Sequence, residues 1–280
     1  MNIRDAFRDP GSEYRPYIRW WLAEGLHTDE TLKMEIEQLD RTGFGGVEFL
    51  AMEEPGADSK LYGWGSEEWV HDTHTIVRET TEHGMAVSMT SGTNWSNANL
   101  ITITPDDDAA SKELDFAVEE LAAGASRSGP LARAELTMPG VTKQELEAVT
   151  AVRRVREENG VVFLDRGSAA VLTDLVKDGA LDWAAPAEGD WLLFFFWIHG
   201  TGQTAEPSVS TSYTINYFDR AGIRAFTEYW DDVVLTPQLR EDLYRNLRGM
   251  MYMDSLELGT FGRGGQLWSR HFREIGRAHV

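Results

Sequence analysis

Residues 14 to 95 alternate between two periodicities, and that alternation restricts the fold more than any other feature of the chain. Residues 14 to 25, Tyr-Arg-Pro-Tyr-Ile-Arg-Trp-Trp-Leu-Ala-Glu-Gly, carry the aromatic and β-branched content of a strand, closed by Gly25. Thr28 then offers an N-cap, with Asp29 and Glu30 in the first turn and Leu32, Ile36 and Leu39 at helical spacing before Gly43. Gly45 to Met52 reads as a second strand leading to Glu53 and Glu54. Ser66 caps a helix over Glu67 to His83, with Gly84 as its stop. Met85 to Thr90 forms a third strand, followed by Ser91-Gly92-Thr93-Asn94-Trp95. Strand, helix, strand, helix, strand with short connections predicts a parallel sheet with crossover helices. No glycine-rich phosphate loop follows the first strand, which disfavours a nucleotide-binding doubly wound sheet and leaves a (β/α)8 barrel as the expected α/β fold.

The stretch Met250 to Gly259, Met-Met-Tyr-Met-Asp-Ser-Leu-Glu-Leu-Gly, reads as a buried strand delivering Asp254, and Glu257 three positions later, to a site. In a barrel of this kind, acids at the C-terminal ends of strands are where chemistry is built. The bland alternative is that Asp254 and Ser255 cap a helix or turn. Other strand ends would present Glu24, Glu48, Glu53, Asn94 and Trp95.

Between these segments the rhythm changes. From residue 105 to 206 apolar and polar residues alternate around turn signals at Gly129-Pro130, Pro139-Gly140, Asn159-Gly160 and Glu188-Gly189. Val152–Arg156, Val161–Leu164 and Trp191–Ile198 read as antiparallel strands, with Asn159-Gly160 a hairpin signal. The expected organisation is a partial TIM-type barrel over 1–104, an inserted antiparallel β domain over 105–206, and barrel again over 207–274. Asp219 to Asn246 is rich in helix formers, and Pro237 divides it into two helices.

Net charge is −20 and the sequence pI is about 4.7. Such a surface repels nucleic acid and anionic membrane, so neither is an expected partner. The longest apolar run, Trp191 to Ile198, has eight residues, well short of the roughly twenty a membrane span needs. No cysteine is present, so disulfides and thiolate metal sites are excluded. His71 and His74 lie three apart on a helix and could share a metal, although surface histidines are the simpler reading. The N-terminus lacks an apolar signal region, which reads as cytoplasmic. Of the ten tryptophans, Trp21, Trp64 and Trp95 lie beside glycines or polar turn residues, where a flat ring can stack on a sugar; the alternative is core packing.

The residues Tyr14-Arg15-Pro16 through Trp20-Trp21, Gly43-Phe44-Gly45-Gly46-Val47-Glu48, Asp254-Ser255-Leu256-Glu257, and the inserted Asp182-Trp183, Pro186, Gly189 and Trp191 resemble glycoside hydrolase family 106, the α-L-rhamnosidases. The motifs keep their order over residues 3 to 273. The resemblance implies a barrel interrupted by β modules, inverting hydrolysis of terminal α-L-rhamnosides, a carbohydrate substrate, and calcium as a cofactor. Inversion needs one carboxyl as general acid and one to activate water, about 6.5–9.5 Å apart. The resemblance makes Glu257 the first candidate for a catalytic carboxyl. Asp254 would hold a substrate hydroxyl or a metal, or raise its neighbour's pKa by like charge. Trp21, Glu24, Glu48, Glu53, Asn94 and Trp95 would contact sugar; the metal ligands are not legible, and neither is the oligomeric state. Many members are exported. A non-catalytic carbohydrate binder and a barrel glycosidase of other specificity are the alternative functions.

The end of the chain departs from that family. The codons implied by residues 275–280 resemble a sequencing adapter, so these six read as a non-native tail on a truncated fragment. A complete barrel takes about 250 residues, whereas about 190 remain outside the inserted domain, enough for roughly five of eight strands. The expectation is an inactive half-barrel with exposed strand edges, its second catalytic carboxylate lying beyond the fragment.

Overall fold

A computed structural model describes residues 3–95, 97–246 and 248–272 of the chain. Its main elements are β1 (Tyr17–Ala23), α1 (Asp29–Arg41), β2 (Gly46–Met52), α2 (Glu67–Glu82), β3 (Ala86–Thr90), β4 (Lys112–Leu121), β5 (Gln144–Glu158), β6 (Val161–Val171), β7 (Trp191–Gly200), α3 (Arg220–Tyr229), α4 (Pro237–Arg245), β8 (Met250–Tyr252) and β9 (Gln266–Trp268). They fall into two units. The first comprises Met1–Ile103, Gln203–Ile215 and Arg220–Leu258, and the second Thr104–Gly202, Asn216–Asp219 and Gly259–Val280. The proposed tail at 275–280 lies outside the described residues. No described helix is long and apolar enough to cross a membrane.

The first unit is built on a four-stranded parallel sheet of order β1-β2-β3-β8. Its local signals act as the chemistry demands. Thr28 Oγ1 accepts the Thr31 amide and Ser66 Oγ accepts the Trp69 amide, so each long helix starts on a side-chain cap. Gly43 and Gly84, which follow those helices, take the left-handed φ values of 93° and 64° that glycine tolerates. Leu32 and Ile36 of α1 and Trp69, Thr73, Ile76, Val77 and Thr80 of α2 form buried stripes, and every residue of β3 is buried. Each fully buried Leu or Ile stabilises the fold by roughly 2–3 kcal/mol relative to exposure.

Histidine–aspartate pairs join the helices across this layer. His71 reaches Asp29 at 2.7 Å, His74 reaches Asp242 at 3.1 Å, and His83 reaches Asp40 at 3.1 Å. His71 and His74 therefore diverge toward α1 and α4 and do not converge on a shared metal.

Side chains of the sheet alternate between a helix-covered face and an open one. Trp20 donates to Glu35 of α1, whereas Arg19 and Trp21 point the other way. Arg19 on the edge strand β1 bonds Asp254, beyond the opposite edge strand β8, so the sheet is curled into a half-barrel. Four parallel strands are present among the described residues, where roughly five were expected, and they do not close into a TIM barrel. The expectation of a buried Met250–Tyr252 strand also needs correction. β8 pairs only with β3, and Met250 and Met251 are 51% and 55% exposed.

The second unit is a five-stranded antiparallel sheet of order β9-β4-β7-β5-β6. Asn159 and Gly160 adopt φ values of 53° and 76° and join β5 to β6 in a two-residue hairpin. Leu193, Phe195 and Trp197 of β7 enter a core with Val149, Ala151 and Leu181. Residues 259–272 were expected to continue the barrel, but they belong to this unit, where β9 pairs with β4. The reason is polar. Glu113 of β4 is fully buried and its Oε2 accepts the amides of Phe261 and Gly262, both at 2.9 Å, while Asp115 Oδ1 accepts that of Gly264 at 2.9 Å. Carboxylates buried with such donors capture a glycine-rich segment in preference to leaving themselves unsatisfied.

Candidate functional site

Within the first unit, the open sheet face and its C-terminal rim gather most of the chemistry-bearing residues. Trp21 projects from β1, 53% exposed, and stacks on Trp95 with ring centroids 5.4 Å apart and planes 26° apart. The Trp95 carbonyl accepts the Asp254 amide at 3.1 Å, which ties the tryptophan pair to the rim beyond β8. Arg19 Nε donates to Glu48 Oε1 at 2.8 Å and Arg19 Nη1 to Asp254 Oδ2 at 3.0 Å; Arg19 Nη2 bonds the Tyr252 hydroxyl, and the guanidinium lies over the Tyr252 ring, 4.8 Å from its centroid. Burial alone would lower the Arg19 pKa, but the Asp254 and Glu48 hydrogen bonds and charges outweigh it and hold it above the ordinary arginine value. The sequence reading missed both Arg19 and Tyr252.

Glu257 stands exposed, and its Oε1 accepts the Ser255 hydroxyl at 2.7 Å. Its backbone is fixed where its side chain is not. Buried Asn97 accepts the Glu257 amide at 2.9 Å and donates to the Glu257 carbonyl at 2.7 Å, and Gln203 donates to the same carbonyl at 2.6 Å. Asn97 is one of three asparagines between residues 94 and 99, and nothing in the local sequence marks it for such a clamp. Glu53 is also exposed and lines an open cleft of about 510 Å³ with Glu206, Pro207 and Ser208.

Three of the expected contacts are elsewhere. Trp64 is 1% exposed, donating its indole N–H to the Asn99 carbonyl and packing edge-on to Trp69, so it is core and no sugar platform. Asn94 is 1% exposed in a left-handed turn with φ of 53°. Glu24 is 2% exposed, and its Oε1 accepts Thr93 Oγ1 at 2.6 Å, Ser208 Oγ at 2.8 Å and the Val209 amide at 3.1 Å. Burial pushes the Glu24 carboxyl above the ordinary glutamate range against those donors, which favour its charged form. Glu24 thus anchors the returning segment 208–209 and offers no surface to a ligand.

Among the described residues no three His, Asp or Glu side chains are grouped as a metal ion requires. Glu48 and Asp254 already share a guanidinium. The described residues do not fit the calcium that the family resemblance implies.

No protein-family model and no curated protein matches the sequence. Among solved structures, the fold is similar to that of a rhamnosidase from Novosphingobium sp. PP1Y, with a TM-score of 0.72 at 14% identity. The superposition takes in 99% of this chain and 41% of the rhamnosidase, so the chain spans less than half of that enzyme's length. The shared feature is the fold.

Proposed function

We propose that the chain is a glycosidase-like protein acting on terminal α-L-rhamnosides, as an inverting hydrolase of the family 106 type. The observation that carries this reading is the exposed Trp21 stacked on half-buried Trp95 and tied through the Asp254 amide to the Asp254–Glu257 segment, in a fold similar to a rhamnosidase. An indole face beside carboxylates suits a sugar, whose C–H face stacks while its hydroxyls donate to the acids. In this reading Glu257 is the catalytic carboxyl and Asp254 holds a substrate hydroxyl. The second carboxyl of an inverting pair is not assigned.

A second reading, a carbohydrate binder without turnover, draws support from the solvent exposure of Glu257, since a general acid gains its proton affinity from burial. Nitrophenyl α-L-rhamnoside hydrolysis and L-rhamnose titration separate the two. The hydrolase reading, unlike the inactive half-barrel expected from the sequence, requires turnover, and that turnover falls by about 10³-fold or more in Glu257→Gln with binding kept. Binding without turnover in the unaltered chain supports the binder, and neither binding nor turnover would sink both.

A further inference from the structure

Arg19 was not among the site residues expected from the sequence, yet it is the cation on which the candidate site converges. Its three guanidinium nitrogens are each engaged: Nε by Glu48 of β2, Nη1 by Asp254 after β8, and Nη2 by the Tyr252 hydroxyl of β8. These partners come from the neighbouring strand and from the far edge of the sheet. The sheet ladder itself connects β1 to β8 only through β2 and β3. Backbone pairing ends at Tyr252; beyond it the Trp95 carbonyl holds the Asp254 amide and Asn97 holds the Glu257 backbone, but neither bond directs the Asp254 carboxylate, which Arg19 meets.

We propose that Arg19 is a positioning residue: its guanidinium bridges Glu48 and Asp254 and so holds the Asp254–Glu257 segment against the Trp21–Trp95 platform. The proposal deepens the glycosidase reading and rests on it for function, but its structural half stands apart. Without the cation, two carboxylates would face each other across a partly desolvated sheet face and repel. An exposed ion pair taken singly contributes little, about 0–1 kcal/mol. A planar fork shared by two acids and stacked on a tyrosine is different in kind, because it fixes direction as well as charge. Lysine would keep the charge and lose the fork.

The test uses Arg19→Ala and Arg19→Lys in the whole chain, read by amide hydrogen exchange at Asp254 and by rhamnoside turnover. Arg19→Ala is expected to speed Asp254 exchange by about tenfold or more and to lower kcat by about 10²-fold with KM changed less than about threefold. Added guanidinium should restore both, and methylammonium should not. Arg19→Lys should fall between wild type and Arg19→Ala. Unchanged Asp254 exchange in Arg19→Ala overturns the proposal, as does rescue by methylammonium equal to that by guanidinium. Should Arg19→Ala fail to fold, Arg19→Lys decides: wild-type exchange there overturns the proposal, and faster exchange supports it. If the unaltered chain turns over no rhamnoside, the glycosidase reading falls, while the exchange result still judges Arg19.

Discussion

A carboxylate can be aimed through its side chain or through its backbone, and Glu257 shows the second way. Asn97 meets both the amide and the carbonyl of Glu257, accepting from one and donating to the other, so only a side-chain amide can make both bonds. Asn97→Asp keeps the acceptor for the Glu257 amide but sets a carboxylate oxygen against the Glu257 carbonyl. That buried mismatch is expected to cost about 1–3 kcal/mol, seen as a lower unfolding midpoint and faster exchange at the Glu257 amide. Equal stability at neutral pH would show that the clamp does not hold Glu257. At this scale the sequence was a partial guide. Glu48 and Trp21 could be placed on one sheet face by the period-two alternation of their strands, and Asp254 by its position just past an apolar run. Arg19 and Asn97 were not, because their partners lie 235 and 160 residues away and a pattern of local spacing cannot pair them. Glu24 and Trp64 were misread for a related reason: both occupy turn-like sequence, and only tertiary burial shows that their polar atoms serve the fold.

At the scale of elements, periodicity and caps specified the β1-α1-β2-α2-β3 run almost residue by residue, since each helix carries its own start and stop. The fate of residues 259–272 was not legible. Their assignment to the antiparallel unit depends on Glu113 and Asp115, whose burial follows from pairing within that sheet, and on glycines that let two backbones approach. Gly264 is the tightest of these. A Cβ placed there would lie 2.0 Å from the Leu114 carbonyl oxygen, backbone that cannot move aside without breaking β4. Gly264→Ala is expected to cost about 2 kcal/mol or more and to release β9, lowering the second unit's unfolding midpoint by several degrees. Gly167→Ala is the matched control, since a Cβ there would meet no backbone within 4 Å and its nearest neighbour would be the Asp165 side chain at 3.3 Å. Equal midpoints for the two variants would show that the 259–272 segment is not held as described.

For the molecule as a whole, acidity acts through two routes that pH and salt distinguish. One is the net charge of −20, whose self-repulsion weakens as pH falls toward 4.7 and as salt rises. The other is burial of individual carboxyls. Burial raises Glu24 in the first unit and Glu113 in the second above the ordinary glutamate range. A raised carboxyl contributes stability that is fully present below its unfolded pKa and is lost as pH rises through its folded pKa. Asp29 runs the opposite way. The His71 hydrogen bond holds it below the usual aspartate range, so its contribution is present above its unfolded pKa and is lost as pH falls through its folded pKa. Stability is therefore expected to rise as pH is lowered from 7.5 toward 5, and to fall again in stronger acid. Repulsion alone predicts the first trend too, but added salt should abolish that part and leave the buried carboxyls' share. Glu24→Gln isolates it: relative to wild type, the variant's first-unit midpoint should improve on going from pH 4 to pH 7.5, in low and high salt alike. A wild-type-to-variant difference that does not change with pH, or that vanishes in high salt, would show that burial does not raise the Glu24 carboxyl.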